Sequence, residues 1–113
     1  MRNVVGITGG TGFIGHRLVS LNRGNGDEVR ILTRRPPQVP RTDGLSFYPG
    51  DLIASSTDNL RGFLSGVDIL YHCAGEPSRI DRMYDLHVRG TEKLLSAAEG
   101  QVKHWIQLSS VGA

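Results

Sequence analysis

The apolar run Asn3-Val4-Val5-Gly6-Ile7 leads directly into Thr8-Gly9-Gly10-Thr11-Gly12-Phe13-Ile14-Gly15, and a segment with helical spacing follows (Ile14, Leu18, Val19, Leu21). Strand, glycine turn and helix in that order leave few folds open. Gly9 permits a tight turn and Gly12 removes the Cβ that would keep a pyrophosphate from the backbone. Gly15 lets the helix pack closely on the strand. The free N–H groups at the helix start, at the positive end of its dipole, are suited to phosphates. The stretch satisfies Gly-x-Gly-x-x-Gly (Gly10, Gly12, Gly15) and Thr-Gly-x-x-Gly-x-x-Gly (Thr8, Gly9, Gly12, Gly15). In this context the pattern reads as a dinucleotide site. A P-loop is excluded, because no Gly-Lys-Ser/Thr follows.

Length and composition narrow the class further. At 113 residues the chain is expected to form one domain, residues 1–113. Hydrophobic residues make up 38% and charged residues 21%, the balance of a globular chain rather than a disordered one. A formal charge of +2 implies no nucleic-acid partner. No apolar run reaches membrane-spanning length, so no membrane partner is expected. Cys73, the only cysteine, excludes an internal disulfide and fits a reducing compartment. The N-terminus lacks the apolar core of a secretory leader, and the expectation is a cytoplasmic protein.

Strand-like and helix-like segments alternate along the chain. Strands are predicted at 3–8, 28–33, 45–48, 67–72 and 105–109. Helices are predicted at 12–23, 58–64 and 80–99, with Gly66 and Gly100 as stops. Asn22, Gly24, Asn25 and Gly26 weaken the end of the first helix, and Pro36, Pro37 and Pro40 make 34–44 a loop. The first, fourth and fifth strands are largely apolar, as in a sheet buried on both faces. The pattern predicts an α/β fold, a doubly wound parallel sheet of five strands in the order 3-2-1-4-5.

Four other positions carry candidate chemistry. The end of the second strand reads Ile31-Leu32-Thr33-Arg34-Arg35, with no acid where one would accept from the adenine ribose hydroxyls. Arg34 there would pair with a 2′-phosphate, favouring NADP with NAD as second choice; solvated loop arginines are the competing reading. Asp51 and Leu52 follow the third strand, where a carboxylate accepts from an adenine amino group or closes a turn beside Gly50. Ala74 and Gly75, after His72-Cys73, leave room for a ligand, and Cys73 reads as a small apolar filler. Ser109 and Ser110 end the fifth strand, where a hydroxyl can bond a substrate oxygen or simply form a turn. His16, His72, His87 and His104 lack metal-ligand spacing, and no metal site is assigned.

Together these segments resemble the N-terminal half of an extended short-chain dehydrogenase/reductase of the NAD(P)-dependent nucleotide-sugar epimerase/dehydratase kind. The matching pieces are Thr8 to Gly15, Asp51-Leu52, Leu70 to Gly75, His87-Val88-Arg89-Gly90-Thr91 with Leu94-Leu95, and Trp105 to Gly112. The resemblance implies a Rossmann fold in which Gly9, Gly12, Phe13, Ile14 and Gly15 line the pyrophosphate. It also implies that Asp51 and Leu52 flank the adenine, and that Ala74, Gly75 and Ser109 lie by the cofactor. Ser110 aligns with the catalytic Ser/Thr that polarises the reacting oxygen. The 80–99 helix resembles one such enzymes use to form homodimers.

Two departures stand out. His87 replaces the asparagine of the Asn-Val-x-Gly-Thr pattern, and none of the three tyrosines has a lysine four residues on, so the acid/base Tyr-x-x-x-Lys is absent from these residues. The chain is therefore expected to be the cofactor-binding fragment of an enzyme and to be inactive alone. The parent would oxidise a sugar hydroxyl by hydride transfer and complete an epimerisation, dehydration or reduction on its small-molecule substrate. The alternatives are a ketone reductase of the steroid or flavonoid type and a non-catalytic NADP-binding sensor.

Overall fold

The computed structural model describes residues 3–9, 13–34, 44–52, 55–73 and 89–107. The elements run β1 (Val4–Thr8), α1 (Phe13–Gly24), β2 (Glu28–Thr33), β3 (Leu45–Pro49), α2 (Thr57–Leu64), β4 (Ile69–His72), α3 (Thr91–Ala98) and β5 (His104–Gln107). All five strands pair in parallel in the order β3-β2-β1-β4-β5, the Rossmann-like arrangement expected above.

The period-2 geometry of the strands divides the core into two clusters. Val5 and Ile7 of β1 and Val29 and Ile31 of β2 pack with Val19 of α1. Leu32 and Leu70 face the other way and pack with Leu60, Phe63 and Leu64 of α2 and Leu94, Ala97 and Ala98 of α3. Helices thus cover both faces, which is why the strands read as near-continuous apolar runs. Each fully buried aliphatic or aromatic side chain here contributes about 1.5–3 kcal/mol. Gly6 belongs to the second face, where a Cβ would lie 3.2 Å from Val67 Cγ1 and 3.3 Å from Phe63 Cζ. Glycine at this position lets α2 sit close against β1.

The helix ends show local chemistry that the sequence pattern only partly revealed. Ser56 caps α2 by accepting from the Asn59 N–H at 3.1 Å, one residue earlier than the predicted start implied. Arg30 reaches from β2 and donates to the Phe63 and Ser65 carbonyls at 2.6 and 2.8 Å. A cation thereby closes the negative end of α2. Asn22 does not break α1 but is buried within it, its amide donating to the Leu18 carbonyl at 2.7 Å. Gly90 already has helical dihedrals (φ −61°, ψ −43°) and no capping side-chain bond, so the helical backbone begins before Thr91. Positions 80–88 of the predicted long helix and 108–109 of the predicted last strand lie outside the described residues.

Asp68 ties three strands together at the amino edge of the sheet. One carboxylate oxygen accepts from the Val4 N–H at 2.9 Å, and the other lies 3.5 Å from Lys103 Nζ. Its backbone carbonyl takes the N–H groups of Lys103 and His104. The Val4 N–H, aided by Lys103 and opposed by partial desolvation, holds the Asp68 carboxyl below its ordinary value of 3.8. A depressed carboxylate contributes stability above the unfolded-state value, and that contribution is lost as pH falls through the folded-state value. Asp68→Asn is expected to unfold at a lower temperature at pH 7 and to lose less of its stability than the unaltered chain below pH 3.8. Thermal melts across that range decide it: parallel melting curves for the two proteins would show that the carboxylate contributes nothing.

Candidate functional site

Because the sheet is parallel, the carboxyl ends of β1 to β4 lie along one edge. Register pairs Thr8 with both Leu32 and His72, and Thr33 with Pro49. The residues that follow these strands, Gly9, Arg34, Gly50-Asp51 and Cys73, therefore line the same rim. The order of strands reverses between β1 and β4, which is where open α/β sheets bind ligands.

Gly9 has φ +72°, the left-handed region that a side chain disfavours, and turns the chain off β1. Phe13 and Ile14 open α1, and Gly15 is buried in its first turn. That first turn contains no acidic residue of its own to neutralise the positive end of the helix. A dinucleotide's phosphates fit this arrangement, with backbone N–H groups rather than lysines as donors. Arg34 is exposed directly after β2. Asp51 is half-buried in a turn closed twice by Ser55: the Asp51 N–H donates to Ser55 Oγ, and the Ser55 N–H to the Asp51 carbonyl, each at 2.8 Å. Leu52 beside it is buried in the cluster that contains Leu32. Gly12, Ala74, Gly75, Ser109, Ser110 and His87 lie outside the described residues.

Behind the rim lies a buried polar relay. Thr8 Oγ1 is 2.7 Å from His72 Nδ1 and accepts from the Cys73 N–H at 3.1 Å. His72 Nε2 is 2.9 Å from Thr91 Oγ1, and the imidazole stands edge-on to Trp105 with ring centroids 5.7 Å apart. Burial pushes the Cys73 thiol above its ordinary value of 9.0, which disfavours the thiolate and agrees with a filler role. Lys93 Nζ donates to the Ser55 carbonyl at 2.7 Å. The sequence reading assigned no role to Thr8, Thr91, Lys93 or Ser55. Thr8, His72 and Thr91 stood inside matched motifs, but nothing in their spacing announced that they meet.

The sequence model of the NAD dependent epimerase/dehydratase family matches residues 5–113. The chain belongs to that family. Sterol demethylase protein B of Methylococcus capsulatus is 35% identical to this family member over 95% of the chain and 34% of its own length. The 3 beta-hydroxysteroid dehydrogenase/Delta 5-->4-isomerase of Mycobacterium tuberculosis is 31% identical over 92% of the chain and 30% of its own length. The chain thus spans about a third of the length of these relatives. Among solved structures, MoeE5 in complex with UDP-glucuronic acid and NAD superposes with a TM-score of 0.79 at 30% identity, over 94% of this chain and 36% of that one. A short-chain dehydrogenase/reductase superfamily protein from Agrobacterium tumefaciens with bound NAD gives 0.75 at 28% identity, over 95% and 32%. These two neighbours hold NAD on a similar fold. No helix among the described residues is long and apolar enough to cross a membrane.

Proposed function

We propose that this chain is the dinucleotide-binding part of an NAD(P)-dependent oxidoreductase that moves a hydride between the nicotinamide and a secondary alcohol or its ketone. The observation that carries the reading is the Gly9 turn, with its positive φ, set between β1 and the acid-free start of α1 at the rim of the sheet. The names of the two curated relatives above favour a sterol-type alcohol as the parent's substrate. The nucleotide-sugar reading is supported by the likeness to MoeE5 with UDP-glucuronic acid. In this proposal Gly9, Gly12, Phe13, Ile14 and Gly15 hold the pyrophosphate and Asp51 with Leu52 the adenine. Ala74, Gly75 and Ser109 flank the cofactor, and Ser110 bonds the reacting oxygen. Arg34 sets a preference for NADP.

Ser110 can orient a carbonyl, but a serine alone does not exchange a proton with substrate at neutral pH. The 113-residue chain is accordingly expected to bind NAD(P) while oxidising neither a 3β-hydroxysteroid nor UDP-glucose. Calorimetric titration and cofactor absorbance measure the two halves of that statement. Absence of binding would sink the nucleotide reading, and turnover would sink the assignment of the acid/base to a segment other than these residues. Leu95, 49% exposed on α3, belongs to the helix proposed for a homodimer, and sedimentation of the same sample should show the dimer if that holds.

A further inference from the structure

Thr91 and Lys93 stand two residues apart in the first turn of α3, yet they serve different turns of the rim. Thr91 acts through His72. The ring is 4% exposed, contacts a hydroxyl at each nitrogen and packs against Trp105, so it cannot rotate without losing both hydrogen bonds. On its far side is Thr8, 1% exposed and the last residue before Gly9. A neutral imidazole has one donor and one acceptor, and hydroxyls take either role, so such a relay satisfies every member while linking two elements. Lys93 acts through the Ser55 carbonyl, and Ser55 closes the turn that contains Asp51.

The geometry points to Thr91 and Lys93 as positioning residues for the dinucleotide: from one helical turn they set the Gly9 turn and the Asp51–Ser55 turn relative to each other. This inference rests on the nucleotide-binding reading above. A dinucleotide spans both turns, so its binding depends on their separation in a way that binding of a fragment does not. Preformed spacing spares the ligand the cost of ordering the turns. The two contacts make separable demands. The Thr91 relay bears on the pyrophosphate end, and Lys93 on the adenosine end.

The test titrates NAD and AMP against the unaltered 113-residue chain, Thr91→Val, Thr91→Ser, Lys93→Met and Asp68→Asn, with a thermal midpoint for each. Thr91→Val is expected to weaken NAD about three- to tenfold, the range of one hydrogen bond, and AMP by less. Lys93→Met is expected to weaken NAD by a similar factor and AMP by less, because only the dinucleotide spans both turns. Thr91→Ser keeps the hydroxyl and should retain the affinity of the unaltered chain. Asp68→Asn destabilises the opposite edge of the sheet and should leave NAD affinity unchanged, which separates positioning from stability. NAD binding within about twofold of the unaltered chain in both Thr91→Val and Lys93→Met would overturn the inference. So would an equal loss of affinity in Asp68→Asn at matched thermal midpoint. If Thr91→Val does not fold, Lys93→Met decides the matter by the AMP criterion. An unaltered chain that binds no nicotinamide nucleotide would instead sink the nucleotide reading itself.

Discussion

Gly9→Val is expected to reduce NAD affinity by at least about a hundredfold while leaving a folded protein. The backbone at this position has φ +72°, a conformation that costs an L residue about 1–2 kcal/mol and a β-branched one more. The strain is met either by loss of that much stability or by a shift of the turn. A shift of the turn moves the N–H groups proposed to face the phosphates, and that is the outcome expected for a β-branched residue here. A hydrogen bond to a charged group is worth about 1.5–3 kcal/mol, so losing two of them exceeds a hundredfold in affinity. Gly9→Ala should fall between the two proteins, since it adds the Cβ without the branch. Calorimetric titration together with thermal unfolding measures both effects. Binding by Gly9→Val within about threefold of the unaltered chain would remove the turn from the nucleotide site.

Arg34→Ala is expected to weaken NADP binding about ten- to a hundredfold and to leave NAD nearly unaffected. β2 ends at Thr33, where a carboxylate would otherwise accept from the ribose hydroxyls, and the exposed Arg34 follows it. A guanidinium paired with a 2′-phosphate is a charge-assisted contact of about 1.5–3 kcal/mol. Arg34 is exposed, so the difference should shrink as ionic strength rises, because screening over about 10 Å at 0.1 M weakens a surface pair. Titrating both cofactors at low and high salt gives four numbers, and the proposal requires one pattern among them. Equal affinity of the unaltered chain for NAD and NADP would make Arg34 a solvated loop residue. The solved relatives described above carry NAD, so this measurement also asks whether the chain departs from them.

Local pattern and composition determined the fold class. A glycine turn after the first strand, followed by alternating strand and helix segments, points to parallel β-α-β winding, and β2, read as 28–33, is observed at Glu28–Thr33. Such features are legible because they depend on neighbours within a few residues: side-chain periodicity, the φ that glycine tolerates and the helix stops that glycines supply. The rim of the sheet was legible for the same reason, since parallel strands bring their carboxyl ends to one edge whatever their length.

Only the tertiary structure decided which polar side chains support that rim. Thr8 and His72 are 64 residues apart, His72 and Thr91 are 19 apart, and Lys93 and Ser55 are 38 apart. Arg30 finds its partner at the end of α2, 33 residues away, which only the fold brings within reach of its guanidinium. Asp68 likewise gained its role from Val4, 64 residues earlier. A polar side chain declares a hydrogen-bonding capacity in the sequence but no partner. Packing of helices on the sheet determines which of these groups lose water, and burial without a partner is costly enough that the ones brought together must pair.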